Sequence, residues 1–172
     1  MAKAIFCGEP LALNLLKAAA FTLVVPTAMV IVLPIYFHHE WPQLQAPHSE
    51  PWRFLGAGPV GVGTLIFFWS VWDFVRRGRG TPAPYDPPKV VVTVGPYRWV
   101  RNPMYFGSLL VLTGEALLLQ SEVVLAYAAA LGLVMHAFVV LYEEPTLRRK
   151  FGPPYETYCA AVPRWIPRRP PA

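Results

Sequence analysis

Apolar residues fall into four runs along the chain, each close to the roughly 20 residues that a helix needs to cross a bilayer. The first covers roughly residues 11–37, the second 54–75, the third 103–119 and the fourth 123–142. Pro26 and Pro34 lie within the first run and predict a kink or an early end there. Only Gln120, Ser121 and Glu122 separate the last two runs, so a tight antiparallel helical hairpin is expected. Residues 76–102 open with a stretch rich in glycine and proline that excludes helix and strand over most of its length. A flexible linker and a functional loop are both open readings of it. Beyond the fourth run, Leu147, Phe151, Tyr155 and Tyr158 recur at three- and four-residue steps, the mark of short helical pieces with one apolar stripe. Such pieces lie on a membrane surface or fold over the mouth of a bundle. The pattern as a whole predicts one all-α domain over 1–172: a polytopic membrane bundle of about four transmembrane helices, with short helices in 145–172 capping its cytoplasmic side.

Composition narrows this further. Of 172 residues, 55% are hydrophobic and 15% charged, too little polar surface for an ordinary soluble domain of this size. The net charge is +5, and the positions of the cations carry more information than their sum. The loop 38–53 holds Arg53 alone, whereas 76–102, the tail after Tyr142, Lys3 and Lys17 supply the other fourteen of the fifteen lysines and arginines. In a four-span arrangement these fourteen share one side, which the charge bias assigns to the cytoplasm, with both termini inside. A multi-pass protein of a bacterial-type inner membrane is expected. No nucleic-acid-binding motif accompanies the basic balance. Cys7 and Cys159 show no metal-ligand spacing and read as free thiols, and no metal site is expected. Glu9 and Pro10 interrupt the start, and the run that follows is too long for the core of a signal peptide.

The residues with chemical potential gather at one membrane level. Tyr97, Arg98, Arg101, Asn102 and Tyr105 lie at the entry to the third run, and Glu143 and Glu144 at the exit of the fourth. The hairpin brings these ends together. Two adjacent carboxylates at the end of an apolar helix are costly unless paired, and Arg98, Arg101 and Arg164 are the natural partners. A purely structural ring of ion pairs is the alternative to a functional site. His136, seven residues before Glu143, should share its helix face and line the same cavity; a helix–helix hydrogen bond is the plainer reading. Gly61 and Gly63 in the second run, and Gly107 and Gly114 in the third, suit either close helix packing or close approach of a ligand. Glu115, inside the third run, has no assigned role.

The stretch Gly95-Pro96-Tyr97-Arg98-Trp99-Val100-Arg101-Asn102-Pro103-Met104-Tyr105-Phe106-Gly107 resembles the signature of the isoprenylcysteine carboxyl methyltransferase and phospholipid N-methyltransferase superfamily. So do Leu141-Tyr142-Glu143-Glu144-Pro145 and the residues after it, Leu147, Phe151-Gly152, Tyr155, Tyr158 and Val162-Pro163-Arg164. The resemblance covers about the C-terminal half of the chain. It implies an integral membrane enzyme that uses S-adenosylmethionine without a Rossmann domain. It further implies a cofactor site lined by Tyr97, Arg101, Asn102, Pro103, Tyr105 and Gly107 on one side and by Glu143 and Glu144 on the other. Leu147, Tyr155, Tyr158 and Arg164 would form a lid, and Gly61 and Gly63 match a cofactor-binding glycine pair. The methyl acceptor is expected to be a lipid or other amphiphile, a phospholipid amine ahead of a prenylated carboxylate. Glu144 would then serve as base for an amine, and Arg101 or Arg164 would anchor an anionic acceptor. Asn102 stands where the carboxyl methyltransferases usually carry histidine; asparagine forms hydrogen bonds but accepts no proton near neutral pH. A nicotinamide-dependent sterol-type reductase and a non-enzymatic membrane scaffold are the competing readings.

Overall fold

The computed structural model describes residues 16–17, 19–20, 24–44, 51–78 and 89–168. The expectations for Lys3, Cys7, the glycine- and proline-rich stretch 79–88 and the last four residues lie outside the described residues. Helices account for nearly everything described. They are α1 (Val24–Glu40), α2 (Ala57–Asp73), α3 (Pro103–Leu119), α4 (Glu122–Phe138), α5 (Glu144–Phe151) and α6 (Pro153–Ala161). Pro26 and Pro34 do not end α1; a wider π turn, Ala28–Val32, lies between them and absorbs the irregularity. Helical turns flank α2, giving a continuous run Pro51–Gly78, longer at both ends than the apolar pattern alone predicts. That run and Glu122–Phe151 are long and apolar enough to cross a membrane, while α1 and α3 are apolar but shorter.

Size, rather than polarity, sorts residues between inside and outside. Leu65, Phe68, Trp69, Trp72, Leu133, Val134 and Leu141 point outward, whereas Gly56, Gly63, Ser70, Gly107, Ser108 and Gly114 are buried. A water-soluble protein does the reverse. In lipid, large apolar side chains gain nothing by turning inward, and small ones let backbones approach. The α2–α3 pairing is built this way. A Cβ atom on Gly63 would stand 2.6 Å from the Gly107 carbonyl oxygen, and one on Gly107 would stand 2.7 Å from that of Gly63. Seven residues before Gly63 and seven after Gly107, Gly56 and Gly114 repeat the contact. The packing alternative for Gly63, Gly107 and Gly114 is therefore what the structure realises, while Gly61 is exposed with open space beside it.

The α3–α4 connection is as tight as its length demands. Gln120 adopts the left-handed conformation (φ 49°), and the Ser121 amide reaches back to the Ala116 carbonyl at 3.0 Å. The Ser121 hydroxyl then accepts from the Val124 amide, capping α4. α1 packs on α4: the Tyr127 hydroxyl donates to the Met29 carbonyl at 2.8 Å, and Phe37 stacks on Tyr127. The result is an all-α membrane helical bundle.

Replacing Gly63 with alanine is expected to force α2 and α3 apart and to lower stability by about 1–3 kcal/mol. Gly58→Ala, facing open space, serves as the control. Thermal unfolding of the two variants in lipid nanodiscs measures the difference; equal midpoints would show that the glycine contacts do not hold the helix pair.

Candidate active site

Backbone geometry sets the stage at the end of the bundle away from the α3–α4 turn. α2 finishes in a π turn, Phe74–Gly78, and α4 passes into α5 through another, Val139–Glu143. Such wide turns re-aim the side chains that follow and recur at functional sites. Here the second turn delivers Glu143 and Glu144 to the entry of α3. Pro103 opens α3, with Asn102 as its N-cap.

The two blocks singled out in the sequence meet side chain to side chain. Glu144 is buried (5% exposed), and its carboxylate receives three guanidinium contacts. Arg164 donates through Nε at 2.7 Å and Nη2 at 2.9 Å, a two-pronged pairing, and Arg101 Nη1 stands 3.0 Å away. The Glu144 hydrogen bond holds the Arg164 guanidinium above its usual range, so that it stays charged. Glu143 differs sharply from its neighbour. It receives the Tyr105 hydroxyl at 3.3 Å, long for such a bond, which leaves most of its acceptor capacity unused. Arg101 Nε is buried without a hydrogen-bond partner. A spare acceptor and a spare donor thus lie within one polar cluster at the edge of an apolar bundle.

The C-terminal segment closes over this cluster. Tyr155, Tyr158 and Val162 pack with Val91, Leu147 and Phe151, joining α5, α6 and the loop that precedes α3. The expected apolar stripe is therefore folded over the bundle. The Tyr158 hydroxyl donates to the Tyr97 carbonyl at 2.8 Å. Burial raises both the Tyr97 and the Tyr158 phenols well above their ordinary range, so both stay neutral donors. Two backbone contacts fix the tail further: the Arg101 amide donates to the Pro163 carbonyl at 2.9 Å, and the Asn102 side-chain amide to the Arg164 carbonyl at 3.1 Å. Asn102 thus holds the tail rather than a proton.

Not every sequence candidate joins the cluster. Arg98 is exposed and stands apart from the glutamates. His136 is also exposed; its Nδ1 accepts from the Trp165 indole at 2.9 Å. Counting seven residues back from Glu143 misplaces it, because the π turn between them rotates the phase. Gly63 and Gly107 face each other between α2 and α3. The sequence reading missed Asp73 and Cys159. Asp73 is buried beside Gly95, whose positive φ (56°) and missing side chain leave room for the carboxylate, and Arg77 lies 3.5 Å from it. A lone acid near the end of an apolar run was the signal for it. The Cys159 thiol accepts from Arg101 Nη1 at 2.9 Å, a contact nothing in the local sequence announces.

Comparison with known proteins now bears on this geometry. A family profile described as Phospholipid methyltransferase matches residues 52–154, more than half of the chain. The match takes in α2, α3, both glutamates and Arg101, and it stops short of Tyr155, Tyr158 and Arg164. No curated protein matches the chain. With an all-α membrane bundle and a profile match of this extent, the chain belongs to the phospholipid methyltransferase family of membrane methyltransferases.

Proposed function

We propose that the protein transfers a methyl group from S-adenosylmethionine to a lipid amine at the cytoplasmic face of its membrane. The observation that carries this reading is the meeting of Glu143 and Glu144 with Tyr105, Arg101 and Arg164 at one end of the bundle. The chain then crosses the membrane four times, and the cation-rich side, with loop 76–102 and the tail, is the cytoplasmic one.

The donor set fits the cofactor. Its amino acid portion carries a carboxylate, and the cluster offers Arg101 Nε to hold it. Tyr97, Asn102, Pro103, Leu147, Tyr155 and Tyr158 wall this cluster and keep water from it. When bound, S-adenosylmethionine supplies a methyl group already activated on a sulfonium sulfur. The remaining work falls to the protein: to hold the acceptor in line, to exclude water and to receive a proton from the amine.

The structure argues for Glu143 rather than Glu144 as that proton acceptor. The lone pairs of Glu144 are spent on Arg101 and Arg164, so it suits a positioning role, tying α3 to the tail. Glu143 has capacity to spare. Arg164 is committed to Glu144, and the free Arg101 Nε goes to the cofactor carboxylate, which leaves little for an anionic acceptor and favours an amine over a carboxylate.

Glu143→Gln is expected to reduce turnover about 100-fold or more, the range set by losing a general base, while insertion into membranes stays intact. Methyl transfer from labelled S-adenosylmethionine to membrane lipids, resolved by lipidomics, measures it. Undiminished labelling in Glu143→Gln would remove the base assignment. Absence of cofactor binding by calorimetry, or binding of a reduced nicotinamide instead, would remove the methyl-transfer reading itself.

Tyr158→Phe deletes the bond to the Tyr97 carbonyl and leaves that acceptor unsatisfied, a loss of about 1 kcal/mol. If the tail closes over bound cofactor, the variant should raise the KM for S-adenosylmethionine about fivefold with little change in kcat. An unchanged KM would separate the tail from cofactor binding.

A further inference from the structure

A second feature lies at the other end of the molecule. There α1 and α4 bound an open groove of about 610 Å³, walled by Phe37, Trp41 and Leu44 of the α1 end and by Glu122, Val123 and Tyr127 of α4. Glu143 follows Glu122 by 21 residues of continuous helix, so the groove and the glutamate cluster lie roughly 30 Å apart along it.

The lining is specific in its chemistry. Phe37 and Tyr127 are packed with ring centres 5.2 Å apart, and Phe37 and Trp41 with centres 5.6 Å apart, forming one connected aromatic wall. The Tyr127 hydroxyl is committed to the Met29 carbonyl, so Tyr127 offers the groove its ring. Glu122 is the one charged residue among the described residues that line the groove, and it is exposed. Aromatic faces and a carboxylate both attract a cation. Among the described residues no lysine or arginine lines the groove, and the Arg53 guanidinium stands over Phe54 at 4.8 Å.

We propose that this groove binds an amine-headgroup phospholipid from the leaflet opposite the glutamate cluster. Its ammonium lies between Glu122 and the aromatic wall, and its chains run along the apolar surface of α1 and α4. A soluble amine satisfies the charge but not the apolar walls; the lipid satisfies both. This site is separate from the methyl-transfer site and does not rest on it.

The test uses the full chain in nanodiscs of equal parts phosphatidylethanolamine and phosphatidylglycerol, with retained lipid counted by native mass spectrometry. The wild type is expected to keep phosphatidylethanolamine over phosphatidylglycerol about two- to fivefold, the range of a single exposed cation–aromatic contact. Glu122→Gln and Trp41→Leu should each lower the ratio toward one, while Gly58→Ala, facing open space on α2, leaves it unchanged. The proposal is overturned if the wild type shows no preference or if Glu122→Gln keeps it. Loss of the preference in Glu143→Gln would place the headgroup at the glutamate cluster instead. Displacement of the retained lipid by millimolar phosphorylethanolamine would identify a soluble ligand and overturn the lipid.

Discussion

A buried carboxylate cannot be left without partners in an apolar bundle, and Glu144 is where this constraint acts on the fold. Its partners come from two places remote in sequence, Arg101 ahead of α3 and Arg164 in the tail. Satisfying one side chain therefore ties the entry of α3, the end of α4 and the C-terminal segment into a single unit. The backbone follows: the Arg101 amide and the Asn102 side chain both bond carbonyls at Pro163 and Arg164. Removing either partner leaves Glu144 with a single guanidinium where water is scarce. The adjacent Glu143 escapes this arrangement, so two identical residues stand in different surroundings.

Much of this was legible in the chain. The third apolar run, 103–119, coincides with α3, and the three-residue connector forms the expected hairpin because nothing longer is available. The coincidence of arginines and glutamates at one level followed from that hairpin and from the cost of unpaired charge in lipid. The repeated spacing of Leu147, Phe151, Tyr155 and Tyr158 likewise became a packed cluster.

What stayed hidden has physical causes too. A π turn has no marked sequence signature, and it shifts every residue beyond it around the helix axis; hence His136 meets Trp165 and not the glutamates. Glycines give the same sequence signal whether a helix or a ligand approaches them, so only coordinates distinguish Gly63, pressed on Gly107, from Gly61 in open space. The two arginines on Glu144 were foreseeable as a set, whereas their commitment to one glutamate and not its neighbour depends on a difference in side-chain aim that no spacing rule contains. Asp73 was available to be noticed, as an acid inside an apolar run, but its partner Gly95 lies across an irregular loop.

The paired glycines of α2 and α3 also determine where this protein is able to breathe. Helices joined backbone to backbone have no long side chains between them whose rotamers could flex, so the two behave as one stiff plank. The opposite flank is softer, since α1 rests on α4 through aromatic rings and one tyrosine bond. A long-chain molecule entering between the helices would thereby meet less resistance at the α1–α4 flank than at the α2–α3 wall.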